Sequence, residues 1–169
     1  MGIFDFVKNA GRKLGLGDEE EKAPAASGPQ PTVDPAALEA LRERQRAKAL
    51  QKVVSDLGLN AAEVQIAMSG EVVRLTGKVE SQEEREKIVL AVGNIHGVSQ
   101  VDDGLEVETA EAEANFYTVV SGDTLGKIAK EAYGNAGKYP VIFEANRPML
   151  TDPNKIYPGQ VLRIPALDD

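Results

Sequence analysis

Residues 64–107 read VQIAMSGEVVRLTGKVESQEEREKIVLAVGNIHGVSQVDDGLEV, and the period of their apolar positions changes twice. Val64, Ile66 and Met68, then Val73 and Leu75, alternate as half-buried strands do, and Ser69-Gly70 between them joins the two as a hairpin. Ser81-Gln82-Glu83-Glu84 has the form of a capping box, in which the Ser81 hydroxyl meets the N3 amide and Glu84 reaches back. The helix it opens carries Ile88, Val92 and Ile95 on one face, and a final strand runs through Val98, Val101, Leu105 and Val107. Upstream, Asp34 as N-cap and Pro35 at the first helical position start a helix bearing Leu38, Leu41, Leu50, Val53, Val54 and Leu57, closed by Gly58. The order helix, strand, strand, helix, strand over residues 34–108 predicts a small α+β layer.

On the N-terminal side, Ile3, Val7, Ala10 and Leu14 stand at helical spacing, with Phe4 and Phe6 flanking them. They predict a short helix within residues 1–17, docked on the α+β layer and ended by Gly15 and Gly17. Residues 18–33, acidic and then rich in Ala, Pro and Ser, have almost nothing to bury and read as a flexible linker. The run Asp18–Glu21 reads as solvated carboxylates rather than a cation site. In the helix that follows, Arg42, Arg44 and Arg46 interleave with Glu39 and Glu43, the pattern of a solvated face.

On the C-terminal side, residues 109–115 form a second, shorter linker. FYTVV at 116–120 is strand-like, Asp123 is placed to cap a helix carrying Leu125, Ile128, Ala129 and Tyr133, and Gly134 ends it. A second short helix over 138–146 stops before Pro148, and Pro158-Gly159 turns into the strand Val161–Ile164. Residues 116–165 therefore predict a compact strand-helix-helix-strand unit, so the chain holds two small α+β domains.

Composition narrows what two such domains can do. The 169 residues carry 19 Lys and Arg against 27 Asp and Glu, a net charge of −8. That balance opposes nucleic-acid binding, which needs clustered cations on phosphates. All of the excess lies in the first 114 residues, because residues 115–169 carry six groups of each sign. There is no cysteine, so disulfides, thiolate metal sites and cysteine nucleophiles are excluded, and the single His96 cannot build a histidine metal centre within one chain. His96 lies in a glycine-flanked loop and reads as an exposed side chain rather than a general base. Asp102-Asp103-Gly104 reads as a turn, since the remaining ligands of a calcium loop are missing. No phosphate loop, dinucleotide fingerprint or nucleophile elbow occurs, and a non-enzymatic protein is expected. Asp5 and Lys8 interrupt the only apolar stretch at the N-terminus, and Phe6 stands where a myristoylation signal needs Ser or Thr. With no long apolar span either, the expectation is a cytoplasmic monomer with no transmembrane segment.

FYTVVSGDTLGKIAKEAYG at 116–134 and IFEANRPMLTDPNKIYPGQVLRIP at 142–165 resemble a LysM domain along its whole length. The resemblance implies binding of N-acetylglucosamine polymers such as peptidoglycan, in a groove involving Gly122, Asp123, Thr124, Leu125, Asn146 and Ile156. Residues 34–108, through SGEVVRLTGKV and IVLAVGNIHGVSQVDDGLEV, resemble a BON domain. Opened by MGIFDFVKNAGRK, the whole chain resembles the family of small cytoplasmic bacterial potassium-binding proteins built from BON and LysM domains. Its departure from that pattern is the longer segment at 18–33.

Potassium is large, monovalent and weakly hydrated, so a selective site favours neutral backbone carbonyls over a ring of carboxylates. Helix C-termini supply such carbonyls at the negative end of the dipole. Two segments here offer them beside glycine, VKNAGR at 7–12 and GNIHGV at 93–98. Family resemblance implies that these two meet and share one ion through the carbonyls of Val7, Ala10, Arg12, Gly93, Ile95 and Val98. Read without the resemblance, both are ordinary glycine-capped helix ends. Two functions remain in view: a cytoplasmic sensor or buffer for K+ and other large monovalent cations that changes conformation on binding, or a cell-envelope module that binds glycan through LysM.

Overall fold

The computed structural model describes residues 2–7, 10–11 and 34–167 of the chain. Its architecture is α+β, in two units. The first holds strand β1 (Gly2–Asp5), helix α1 (Pro35–Asp56), strands β2 (Val64–Ser69) and β3 (Val72–Ser81), helix α2 (Gln82–Gly93) and strand β4 (Gln100–Thr109). The second holds β5 (Asn115–Thr118), α3 (Leu125–Tyr133), a 3-10 turn at Ala136–Lys138, α4 (Tyr139–Ala145) and β6 (Val161–Ile164).

The first unit is a four-stranded sheet in the order β1-β4-β3-β2. β2 and β3 pair antiparallel across the Ser69–Val72 hairpin, while β3 and β4 run parallel because α2 crosses between them. Alternation turns Val73, Leu75 and Val79 of β3, and Val101 and Leu105 of β4, into one core with Leu50, Val53 and Val54 of α1 and Ile88, Val89 and Val92 of α2. The first half of α1 projects past this core. Leu38 and Leu41, counted with the helix's apolar residues in the sequence, are exposed.

Residues 2–5 correct the expected N-terminal helix. They form a strand that pairs antiparallel with β4, from Gly2 opposite Asp103 to Asp5 opposite Gln100. The physical reason lies in the competing period. Ile3 and Val7, which suggested the helix, are 66% and 47% exposed, whereas Phe4 and Phe6 alternate inward and pack on the core. The remainder of the expected helix beyond Gly11, and the linker at 18–33 with the run Asp18–Glu21, lie outside the described residues.

Three local readings also change. The Ser81 hydroxyl does accept the Glu84 amide at 3.2 Å, but the Glu84 carboxylate accepts the Asn60 amide instead of reaching back. Asp102 and Asp103 lie inside β4, not in a turn. Asp103 points inward, where it meets Arg85 of α2 at 2.8 Å, and Asp102 meets Arg74 at 2.8 Å on the other face. In the second unit, Thr124 rather than Asp123 caps α3, its hydroxyl accepting the Lys127 amide. Asp123 accepts the Tyr117 hydroxyl at 2.9 Å and the Val120 amide at 3.0 Å, which folds the loop ahead of the helix.

The second unit packs Val119, Leu125, Ile128, Ala129, Ile142, Leu150, Leu162 and Ile164 around the β5–β6 ladder. Asn146 braces it. Its buried amide group donates to the carbonyls of Ile142 and Arg163, and its side-chain oxygen accepts the Arg163 amide at 2.7 Å. Asn146→Ala would orphan these buried groups, so we expect urea denaturation to show a loss of about 3 kcal/mol. A loss below about 1 kcal/mol would contradict the bracing role.

The two units meet along α2. Glu86 and Arg163 form an ion pair at 4% and 8% exposure, and the Glu86 carboxylate also accepts the Gln82 side chain and the Ala114 amide. Phe4 and Phe116 pack with ring centroids 5.1 Å apart at the same interface. Removing one member of such a pair leaves a buried charge, so Arg163→Leu is expected to cost about 3–5 kcal/mol in urea unfolding. Adding Glu86→Leu should recover part of it; a double variant weaker than the single one would contradict this account.

Candidate functional site

The extended N-terminal segment does not stop at the sheet edge. Beyond β1 the Phe6 amide donates to the Ser99 carbonyl at 2.9 Å, and the chain runs on across the C-terminal end of α2. Gly93, the last residue of that helix, is buried beneath the Phe6 ring; a Cβ there would overlap the ring. Gly11 sits against the Asn94 carbonyl so closely that a Cβ would overlap it, and its φ of +103° belongs to glycine. Two glycines, one from each segment, thus set the distance at which the segments lie.

The residues transferred from the family fall around this junction. Val7 and Ala10 are joined in a tight turn, the Ala10 amide donating to the Val7 carbonyl at 2.9 Å. Gly93, Ile95 and Val98 are buried in the helix exit, where the Val98 amide donates to the Ile95 carbonyl at 3.1 Å. Among the described residues no donor occupies the carbonyls of Ala10, Gly93 or Val98. Arg12 lies outside the described residues. His96, between the two glycines of the exit, is partly buried rather than exposed.

A cavity of about 280 Å³ adjoins the junction, lined in part by Gly11, Asn94, Ile95, Leu150, Tyr157 and Gln160. Among the described residues no carboxylate lines it, and burial pushes the Tyr157 phenol above its ordinary value. Among the described residues there is no group of three or more His, Cys, Asp or Glu placed to hold a metal ion. What the junction presents is backbone oxygen near a helix C-terminus, the donor type suited to a large monovalent cation.

The six positions implied for glycan binding are scattered in role. Leu125 is core, Ile156 packs against it, and Asn146 is buried with its hydrogen bonds made internally. The Asp123 carboxylate and Thr124 hydroxyl fold the loop and cap α3, and the Gly122 carbonyl accepts Lys127 Nζ at 2.7 Å. The large hollow of this unit, about 540 Å³ between β5, α3 and the end of β6, is lined by none of the six. No helix among the described residues is long and apolar enough to cross a membrane.

The sequence pointed to both carbonyl segments but not to the part that the second unit plays at their junction. The signal was present in Tyr157-Pro158-Gly159, read there as part of the LysM resemblance with Pro158-Gly159 as a turn.

Comparison with known proteins agrees with these two units. Residues 42–109 match the BON domain family and residues 117–165 the LysM domain family. Potassium binding protein Kbp of Escherichia coli O6:H1 is 45% identical over 166 residues, covering 98% of this chain and 99% of that protein. An uncharacterized protein of Deinococcus radiodurans is 35% identical over 61% of this chain and 44% of its own length. An esterase of Mycobacterium tuberculosis matches over only 48 residues, 10% of its length. With a relative of this identity aligned almost end to end, the chain belongs to the family of BON–LysM proteins that includes Potassium binding protein Kbp.

Proposed function

We propose that this protein binds K+ through the backbone carbonyls of Val7, Ala10, Arg12, Gly93, Ile95 and Val98, and acts in the cytoplasm as a sensor or buffer of the ion without catalysing a reaction. The observation that carries this reading is the seating of Phe6 and Gly11 on the exit of α2, through the Phe6–Ser99 hydrogen bond and the Gly11–Asn94 approach. The potassium-binding name of the near full-length relative supports the same reading. Other large monovalent cations would enter such a site in proportion to how well they fit carbonyl oxygen. The LysM match supports glycan binding as a second reading, but most of the side chains that it would use are engaged in folding the unit.

The mechanism is conformational. An ion held by two segments that are distant in sequence stabilises only the state in which they are docked, by RT ln(1 + [L]/Kd). Binding therefore orders the N-terminal segment on the BON unit. At KCl a hundredfold above Kd the gain is about 2.7 kcal/mol, enough to raise the melting temperature by several degrees. We expect melting in KCl to exceed that in LiCl or NaCl at matched ionic strength; coincident curves would sink the potassium reading.

Gly93→Ala gives a sharper version. The added methyl displaces the Phe6 ring and with it the N-terminal segment, while alanine favours the helix itself. The variant should melt in LiCl close to the parent yet lose most of the KCl-dependent rise. A full rise in the variant would show that the Phe6 contact does not support the site.

A further inference from the structure

The cavity of about 280 Å³ beside the junction holds a chemistry that the carbonyl site does not use. Its lining is largely apolar: Val53 and Leu57 come from α1, Leu90 and Ile95 from α2 and its exit, and Met149 and Leu150 from the LysM unit. Ile95 belongs to the core of the first unit and Leu150 to that of the second, so the cavity lies where the two cores come together.

Three polar groups of the LysM unit join this lining, and each has a donor to spare. Lys155 is exposed, and among the described residues no carboxylate pairs with its ammonium group. The Tyr157 hydroxyl makes no hydrogen bond among the described residues, and burial pushes the phenol up, so it stays protonated. Gln160 is only 7% exposed; its Oε1 accepts the Tyr157 amide at 3.3 Å, while its Nε2 has no partner among the described residues. Since none of the described side chains holds a sealed, unpartnered nitrogen or oxygen, that Nε2 is reached by solvent, and Gln160 lines this cavity. The other amide in the lining, that of Asn94, is fully engaged with Val161.

Donors, one positive charge and an apolar interior together select an organic monoanion. An ionised carboxylate needs a cation and hydrogen bonds before it leaves bulk water. Lys155 offers the cation on the solvent side, where desolvation costs least. A phosphate dianion would leave one charge unmatched, and a cationic ligand would face an ammonium. The volume lies near the lower end of the range of about 300–1,000 Å³ for small-molecule sites, which limits the ligand to a short body.

We propose that this cavity binds a small aliphatic carboxylate, its anionic head held by Lys155, Tyr157 and Gln160 and its hydrocarbon body lying against Leu90, Ile95 and Leu150. The site stands apart from the potassium reading, because none of the three donors is among the six carbonyl positions.

Octanoate is the probe, titrated calorimetrically into the full-length protein in KCl. It should bind at one site, and more tightly than octan-1-ol or octylammonium, which share its chain length but not its charge. Lys155→Gln alters an exposed position that packs against little, and should weaken octanoate about fivefold while leaving octan-1-ol unchanged. Tyr157→Phe removes only the hydroxyl and should weaken octanoate by a similar factor. Nuclear Overhauser contacts should run from the end of the octanoate chain to the methyl groups of Leu90, Ile95 and Leu150. The proposal is overturned if octanoate binds by neither method, if octan-1-ol binds as tightly, if Lys155→Gln leaves octanoate affinity unchanged, or if the contacts fall instead in the separate hollow beside Tyr133. Each of those results would leave potassium binding untouched.

Discussion

The antiparallel pairing of Gly2–Asp5 with Gln100–Asp103 covers the outer edge of the sheet and delivers the chain, in extended form, to the carbonyl end of α2. An unpaired edge of this kind is otherwise a row of free N–H and C=O groups open to any other strand. Here it is used to bring together two segments more than eighty residues apart. Phe6 then fits only because Gly93 has no side chain, and Gly11 approaches Asn94 for the same reason. Substituting either glycine would leave the strand pairing intact and still separate the two segments.

Helix α2 connects this junction to everything else. Arg85 reaches the inward Asp103 of β4, Glu86 reaches Arg163 of β6, and Asn94 at the exit pairs with Val161 of the same strand. The BON and LysM units are thus joined at both ends of one helix, by a buried ion pair near its start and a bidentate amide at its close. The acidic excess of the BON half has no direct place in such a site. A carbonyl cradle needs no carboxylate, so the charge contributes at most a weak long-range attraction for cations.

Most of the regular structure could be read from the sequence because each element carries its own signal. Asp34-Pro35, Ser81, Gly134 and the Ser69-Gly70 turn mark boundaries that the structure keeps. The N-terminal strand was misread because residues 3–7 hold two periods at once, and an isolated strand has no ladder in its own sequence to betray it. The partner that selects the period of two is β4, about a hundred residues away. Asp103 departs from its expected turn for a related cause: an acidic pair beside glycine suggests a turn, but the buried Asp103 is tolerable on a strand because it pairs with half-buried Arg85 and accepts the Leu105 amide. The ligand set lies beyond sequence reading of any kind, since carbonyls are common to all residues. Family resemblance alone indicated which six to consider. Asn94 is legible only in three dimensions, where its side chain meets a peptide 67 residues downstream.

The central claim is that a potassium ion sits between residues 7–12 and 93–98 on backbone oxygen. Long-wavelength anomalous diffraction from crystals grown in KCl, recorded on both sides of the potassium absorption edge, tests it directly. The account predicts one strong anomalous peak at that junction, surrounded by carbonyl oxygens and absent from crystals grown in LiCl. A junction without a peak in KCl, or a peak located instead among surface carboxylates, would contradict it.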